Sequence, residues 1–188
     1  MAVRPIRIMG DPVLHAPAAP VEEVTDEIRT LVGDMFETMD AAPGVGLAAP
    51  QVGVSLRVFT YSYSDEDGAP WRGAVINPVL WVVPSEPGAP DDETESEGCL
   101  SFPGERFALR RSDRALLTGT DLDGEPVHIE VDGWRARILQ HEFDHLDGVL
   151  YIDRLSDADW KTVQKIARKR GWGRPGQSWM PGVDDIDP

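Results

Sequence analysis

The stretch GWRARILQHEFDHLDG, residues 133–148, contains the pattern that decides the fold and the chemistry. His141 and His145 stand four positions apart, so an α-helix projects both imidazoles from one face on successive turns. Glu142 directly follows the first histidine and completes the pattern HExxH. In this pattern the histidines bind a metal ion, while the glutamate takes a proton from the reacting water and later hands it to the leaving group. The stretch therefore predicts a helix that holds a catalytic metal.

The residues around the histidines indicate a helix inside the protein. Asp132 is placed to cap this helix, and Gly148 is suited to end it. Trp134 and Ile138 extend the histidine face towards the N-terminus, and Leu146 falls on another face, where it can pack against a core. The competing interpretation is a solvated helix with two surface histidines, which this apolar frame disfavours.

The whole chain has the composition of one soluble globular domain. It has 188 residues, of which 41% are hydrophobic and 27% are charged. No apolar run is long enough to span a bilayer, and the N-terminus lacks the apolar segment of a signal peptide. The single cysteine, Cys99, cannot close a disulfide within the chain, which indicates a reducing compartment. We therefore expect a cytoplasmic protein with no membrane partner.

The charge is strongly acidic, with one basic exception. A net charge of −15 argues against sequence-specific nucleic-acid binding over most of the surface. The segment KTVQKIARKRGWGR, Lys161 to Arg174, is nevertheless wholly positive in its charges. Such a run is usually a solvated helix face, and the alternative is a docking patch for an anionic partner.

The order of predicted elements favours the α+β class. Amphipathic helices are predicted over residues 25–40 and 156–170, and the strand-like runs cover residues 56–63, 75–83, 106–111, 115–122 and 125–131. This order predicts mainly antiparallel sheets around a central HExxH helix, with an N-terminal and a C-terminal helix. We expect a single catalytic domain over residues 1–170 and an irregular tail over residues 171–188.

Two connecting segments differ in character. Residues 41–53, AAPGVGLAAPQVG, cannot form a regular helix and are unusually apolar for a surface loop. Residues 85–97 are acidic and contain proline, so we expect most of them to form a solvated loop.

The third metal ligand is not part of the helix. Metalloproteases often supply it downstream, but no histidine follows His145. His15 and His128 lie upstream, and His128 alternates within a predicted strand as a surface residue does. Cys99, in the segment EGCLSFPG, is the better candidate because a thiolate is a strong ligand for an ion of intermediate softness. The preceding Gly98 permits an unusual backbone angle there.

Three segments together resemble the signature motifs of the peptide deformylase family: GVGLAAPQ at 44–51, EGCLS at 97–101 and QHEFDH at 140–145. The likeness runs from about Gly10 to Arg154 and covers most of the chain. It implies that Cys99, His141 and His145 bind one divalent metal, with a water in the fourth position. It further implies Fe2+ in the cell, although Zn2+, Ni2+ or Co2+ can occupy the same ligands.

The resemblance also implies the catalytic roles. Glu142 would be the base, and Gln51 would donate from its side-chain amide to the formyl oxygen. The backbone N–H of Leu100 would be the second donor of this oxyanion hole. Arg106 falls at the position of a family arginine near the peptide backbone. The implied reaction removes the formyl group from N-formylmethionyl nascent peptides and releases formate.

The resemblance extends to the peptide site. Val45 and Gly46 on one side, and Gly98 on the other, would pair with an extended peptide through main-chain bonds. An apolar pocket suited to methionine would be walled by Val45, Trp134 and Ile138. For Trp134, ordinary core packing is an equal alternative.

Other functions remain open at this point. An HExxH zinc endopeptidase would need a long open groove and a downstream third ligand. A non-catalytic structural zinc module would need a fourth protein ligand. The third alternative is a deformylase-like protein without activity, against which the intact Gln51, Cys99, Glu142 and both histidines count.

The basic segment Lys161 to Arg174 gains a candidate partner from the resemblance. Formylated peptides emerge from ribosomes, so this segment could dock on ribosomal RNA or protein through an attraction that salt would screen.

Overall fold

The structure, a computed structural model, describes residues 2–64, 68, 70–85 and 87–184. Within them lie three α-helices: α1 is Asp26–Ala41, α2 is Gly133–Leu146 and α3 is Asp157–Arg170. These helices lie where the apolar periodicity predicts them. Together with antiparallel sheets they confirm the α+β class. None of the helices in this described part combines the length and apolarity needed to cross a bilayer.

The strands form three antiparallel sheets. In chain order they are β1 Ile6–Arg7, β2 Gly46–Ala48, β3 Val58–Ser64, β4 Pro70–Val82, β5 Ser96–Cys99, β6 Phe102–Ala108, β7 Arg114–Thr120, β8 Pro126–Asp132 and β9 Ser178–Trp179. The largest sheet has the order β2-β3-β4-β7-β8, and β5 pairs with β6, and β1 with β9. Consequently β2 is an edge strand, and its second edge faces no other strand among the described residues.

Helix α2 is central because its apolar side packs against the large sheet. Ile138, Leu139 and Leu146 are buried in one cluster with Phe59 of β3 and Leu117 of β7. Successive side chains of a strand point to opposite faces of the sheet. The face that carries Phe59 and Leu117 is therefore covered by α2 and excluded from water. The helix that bears HExxH is therefore a core element, as its sequence predicts.

Helix α1 packs against a second cluster. Its Met35 and Met39 are fully buried with Leu47 of β2, Val58 of β3 and Ile76 of β4. Residues 41–53, which follow α1, run through this core as β2 and a short 3-10 helix. The unusual apolarity of that segment thus reflects burial.

Within the predicted irregular tail, residues 171–188, Ser178 and Trp179 form a short strand. These residues pair as β9 with Ile6 and Arg7 of β1, and Trp179 is only 3% exposed. The glycine-rich composition around Trp179 disfavours an ordered strand. Burial of the indole compensates, because a large aromatic side chain contributes a few kcal/mol to folding stability when it leaves water. Residues 185–188 of the predicted tail lie outside the described residues.

The acidic segment 85–97, most of which is predicted to be a solvated loop, ends in a strand. Ser96 and Glu97 belong to β5, and Glu97 is buried rather than solvated. Ion pairing with arginines, described below, explains why a carboxylate can lie there.

The C-terminal end of α2 is joined to the N-terminal segment. Gly148 has φ +73°, and a Cβ added to it would lie 2.7 Å from the backbone of Ala16. Close by, the N–H of Ala18 donates to the carbonyl of Leu146 at 2.8 Å. Gly148 therefore satisfies two constraints, a left-handed backbone and a close chain approach.

We predict that Gly148→Ala lowers the free energy of unfolding by about 3 kcal/mol, because the backbone of Ala16 must move. Gly124→Ala is the matched control. Gly124 also has a left-handed backbone, φ +81°, but nothing lies within 4 Å of an added Cβ. It should cost only about 1 kcal/mol. Denaturant unfolding measures both values, and equal losses would contradict the close-approach argument.

Candidate metal centre

Three side chains that could bind a metal converge between β5 and α2. The Cys99 Sγ lies 3.4 Å from the His145 Nε2, which lies 3.3 Å from the His141 Nε2. All three atoms lie within 4.8 Å of one another, and the described residues contain no other such group. The structure therefore brings together the three residues that the sequence predicts as metal ligands.

The spacing and chemistry of these atoms fit a single ion. Bonds of roughly 2.0–2.3 Å to nitrogen and sulfur in a tetrahedral site put ligand atoms about 3.3–3.6 Å apart. The distances from the His145 Nε2 to the Cys99 Sγ, 3.4 Å, and to the His141 Nε2, 3.3 Å, are close to that range. Burial lowers the pKa of His145, which favours the neutral imidazole that a metal requires. One thiolate and two imidazoles suit Zn2+ or Fe2+ better than Mg2+ or Ca2+.

A buried carboxylate orients the first histidine. Glu97, 3% exposed, lies with its Oε1 2.6 Å from the His141 Nδ1. Burial alone would raise the pKa of Glu97, but His141 and Arg111 hold it well below the usual value. An ionised carboxylate only accepts hydrogen bonds, so Nδ1 donates and Nε2 is left to face the other ligands. Arg111 and Arg137 donate to Glu97 at 2.7 and 2.9 Å.

The polar side of α2 is fixed to neighbouring segments by the same kind of contact. Asp144 accepts from Arg111 at 2.6 Å and from two nitrogens of Arg154, each at 2.6 Å. The Gln140 side chain accepts from the N–H of Ser112 at 3.0 Å and donates to its carbonyl at 2.8 Å. These bonds fix the rotation and height of the helix and therefore the position of its histidines.

Glu142 is a buried acid beside the ligands. It is 3% exposed, and its Oε2 has no hydrogen-bond partner among the described residues. Burial raises the pKa of Glu142 to about 7. Its carboxyl lies against Gly46, where an added Cβ would be 2.2 Å from Oε1. Gly46 is therefore a glycine for a steric reason.

The Gln51 amide has a defined orientation. Its Oε1 accepts from the N–H of Ala48 at 2.8 Å, within the same loop. Its Nε2 therefore points the other way, 3.3 Å from the Ser101 Oγ and 3.7 Å from the Cys99 Sγ. A side-chain donor is thus fixed next to the ligand cluster.

An open cleft leads to these groups. Almost all the residues predicted for the site line it: Val45, Gly46, Gln51, Gly98, Cys99, Leu100, Arg106, Trp134, Ile138, His141 and Glu142. His145 is absent from this lining because it is 1% exposed beneath it. Trp134 is half-buried, while Ile138 also belongs to the core cluster of α2.

One wall of the cleft offers main-chain groups of β2. Gly46 is paired with Tyr61, and the N–H of Ser62 donates to the carbonyl of Val45 at 2.9 Å. In an antiparallel ladder this bond makes Gly46–Tyr61 a pair that exchanges no hydrogen bonds. The N–H and carbonyl of Gly46 therefore point away from β3, along the open edge of the sheet.

The opposite wall repeats this arrangement on β5. The N–H of Leu109 donates to the carbonyl of Glu95 at 3.0 Å, and three residues further along the ladder Gly98 is paired with Arg106. The alternation of the ladder turns the main-chain groups of Gly98 away from β6. Arg106 lies over Gly98 and donates to the Ser96 carbonyl at 3.1 Å.

Some candidate residues lie elsewhere, and some partners were missed. The His15 Nε2 accepts from the N–H of Gly10 at 3.0 Å, and His128 is exposed on β8, as predicted. Sequence reasoning missed the orienting role of Glu97 and its arginine partners. The available signal was the spacing of Arg137, Gln140 and Asp144, which puts three polar residues on one side of a largely buried helix.

Comparison with known proteins gives the family. The family model described as polypeptide deformylase matches residues 3–161. A peptide deformylase from Mycolicibacterium vanbaalenii is 51% identical, with 100% of this chain and 98% of that protein covered. The chain belongs to the polypeptide deformylase family.

Further deformylases agree over most of the chain. One from Rhodococcus opacus is 50% identical and covers 97% of this chain and 95% of its own. The crystal structure of the Ehrlichia chaffeensis peptide deformylase superposes with a TM-score of 0.78 at 34% identity, over 90% of this chain and 97% of that one. The predicted family, fold class and enzymatic nature are thereby confirmed. A structural zinc module is disfavoured accordingly.

We predict that Glu97→Gln weakens metal binding by the deformylase about 10- to 100-fold, because the charge that orients His141 is lost. Glu95→Gln is the control, since Glu95 accepts from Arg110 on the same side of the protein but does not contact the histidine. Chelator competition for Zn2+ measures both affinities. Unchanged affinity in folded Glu97→Gln would contradict the orienting role.

Proposed function

We propose that this enzyme hydrolyses the formyl amide of N-formylmethionyl nascent peptides and releases formate and a free amine. The main support is one juxtaposition: Cys99, His141 and His145 converge at the base of an open cleft, with the buried Glu142 beside them. Three protein ligands without a fourth are typical of catalytic rather than structural metal sites.

The proposed metal is a single divalent ion, Fe2+ in the cell, held by Cys99, His141 and His145. Zn2+, Ni2+ and Co2+ suit the same donors. When bound, such an ion polarises the formyl oxygen and makes water easier to deprotonate. With iron we expect sensitivity to oxygen, because both the metal and the Cys99 thiolate are oxidisable.

Glu142 is the proposed base and acid. Its carboxylate takes a proton from water as the water oxygen bonds to the formyl carbon. When the carbon–nitrogen bond breaks, Glu142 returns that proton to the departing amine. The products are formate and a free amine, and Glu142 is again a carboxylate. Its burial without a hydrogen-bond partner supports this role, since no other group in the described residues occupies its Oε2.

Gln51 and Leu100 are the proposed donors to the oxyanion. The Gln51 Nε2 already faces the ligand cluster, because Oε1 is anchored to Ala48. The backbone N–H of Leu100 follows Cys99 directly in the chain. Two fixed donors stabilise negative charge without the reorganisation that water requires.

The peptide is proposed to bind as an added strand between the two walls of the cleft. The outward main-chain groups of Gly46 and Gly98 support this, since an extended chain can bond to both. Val45, Trp134 and Ile138 would contact the methionine side chain. Arg106, above Gly98, would contact the peptide backbone further along.

An endopeptidase on the same helix is less well supported. Such enzymes often take their third ligand from a residue downstream of the helix. Here the third proposed ligand atom is the Cys99 sulfur, which lies upstream on β5. We also infer a cytoplasmic location, where formylated nascent peptides arise.

The decisive experiment measures formate release from formyl-Met-Ala-Ser by anaerobically purified protein, beside cleavage of an internal peptide amide. We expect hydrolysis of the formyl amide alone. Glu142→Ala should retain the metal and lose roughly 100- to 10,000-fold in turnover. Cys99→Ala should lose stoichiometric metal. Full turnover by metal-loaded Glu142→Ala would refute the assigned base, and cleavage of the internal amide would favour the endopeptidase.

We further propose that the basic segment Lys161 to Arg174 docks on the ribosome. Its side chains at Lys161, Lys165 and Lys169 are exposed on α3, while Val163 and Ala167 hold the helix to the protein. An isolated positive face on a chain of net charge −15 suits ribosomal RNA or an acidic protein surface.

Reversing Lys161, Lys165 and Lys169 to glutamate should reduce co-sedimentation with ribosomes about tenfold at low salt and leave formate release unchanged. Reversal of Arg29, Arg72 and Arg114 changes the net charge equally at exposed sites elsewhere, so it serves as the control. Equal co-sedimentation of the two triple variants would count against docking through α3.

A further inference from the structure

The C-terminal tail contacts the loop that bears the metal ligand. We propose that Trp179 is a positioning residue for the deformylase site, acting through the Leu100–Ser101 peptide group on the Cys99 sulfur. The inference builds on the proposed function, since Cys99 is taken as a ligand. Trp179 lies outside residues 3–161, the segment that matches the family.

One peptide group connects the indole to the sulfur. The Trp179 Nε1 donates to the Leu100 carbonyl at 2.8 Å, a bond that is fully buried. The N–H at the other end of this peptide group, that of Ser101, donates to the Cys99 Sγ at 3.4 Å. The two ends of a planar trans peptide point in opposite directions, so fixing the carbonyl also fixes the N–H.

The tail is itself held firmly enough to fix that carbonyl. Trp179 pairs with Ile6 across β1 and β9, and the N–H of Ile8 donates to the Gln177 carbonyl at 3.0 Å. The backbones of Gly10 and Gly173 touch so closely that a Cβ on Gly10 would lie 2.3 Å from the Gly173 Cα. The indole is therefore presented by an ordered segment.

Neighbouring bonds hold Ser101 but leave the Leu100 carbonyl to the tail. The N–H of Met9 donates to the Ser101 carbonyl at 2.8 Å, and the Gln51 Nε2 lies 3.3 Å from the Ser101 Oγ. Neither contact sets the tilt of the peptide group between Leu100 and Ser101. That tilt decides how well the Ser101 N–H points at the sulfur.

Loss of the indole bond has a predictable chemical effect. A hydrogen bond to a carbonyl polarises the peptide group and strengthens its N–H as a donor. A weaker N–H···S bond leaves more electron density on the Cys99 sulfur, which then donates more strongly to a bound metal. The metal becomes a weaker Lewis acid, so kcat falls while KM changes little.

The test compares Trp179→Phe with Trp172→Phe. Phenylalanine keeps an aromatic ring in the core but removes the indole N–H together with part of the ring system at position 179. Trp172 is another tail tryptophan, packed edge-on against Phe102, with no indole hydrogen bond among the described residues. For Trp179→Phe we expect the sulfur-to-metal absorption band of the Co2+-loaded protein to move to longer wavelength. The Ser101 amide proton of the Zn2+-loaded protein should move upfield.

Activity provides a third readout. We expect kcat for formate release to fall about three- to tenfold in Trp179→Phe, and KM and all readouts of Trp172→Phe to stay near the wild-type values. An unchanged band and an unchanged Ser101 shift in folded Trp179→Phe would overturn the proposal, as would equal changes in Trp172→Phe. The two spectra do not depend on turnover, so absent activity in the wild-type protein would refute the proposed function separately.

Folding failure of Trp179→Phe does not end the test. Site-specific replacement of Trp179 by 3-benzothienylalanine substitutes sulfur for the ring N–H in a side chain of nearly the same shape. The same shifts of band and amide proton are expected, and their absence would again overturn the proposal.

Discussion

The centre depends on one buried carboxylate, that of Glu97. It lies on β5 two residues before Cys99, so a single short strand supplies both a proposed ligand and the group that orients His141. A buried charge is tolerated only when it is paired, and Arg111 and Arg137 provide the pairing. Removing one member of such a group leaves the others uncompensated, at a cost of about 3–5 kcal/mol. The same group of charged residues therefore determines both the orientation of His141 and part of the stability of the fold.

Arginine pairing also divides the acids of the centre by function. Glu97 and Asp144 are each bound by two arginines, so hydrogen bonds occupy their carboxylate oxygens. Glu142 is equally buried but pairs with no arginine among the described residues, and burial raises its pKa to about 7. A carboxyl with an intermediate pKa and a free oxygen can both take and return a proton. These three buried acids thus have distinct electrostatic environments, because within the described part of the chain arginines pair with Glu97 and Asp144 but not with Glu142.

The sequence predicts those parts of the structure whose residues show a periodic apolar pattern or a recognisable motif. Helix α2 and its histidines follow from a pattern of three to four residues, and Cys99 from a short glycine-flanked segment. Glu97 could not be recognised because it ends an acidic run that otherwise suits a solvated loop. Strands β1 and β9 are too short to leave a periodic signal. The contact of Trp179 with Leu100 joins residues 79 positions apart, which no local pattern encodes.

Two glycines explain why the cleft is shaped for a peptide end. Any side chain at Gly46 would displace the Glu142 carboxyl, and any at Gly98 would press on Arg106. Without side chains, both strands turn bare main-chain groups into the cleft. An edge strand with unpaired groups is usually a liability for aggregation, and β2 limits it by being three residues long. The same unpaired main-chain groups can form hydrogen bonds with an extended peptide. The tendency of the sheet edge to aggregate and the proposed substrate site therefore have one physical origin.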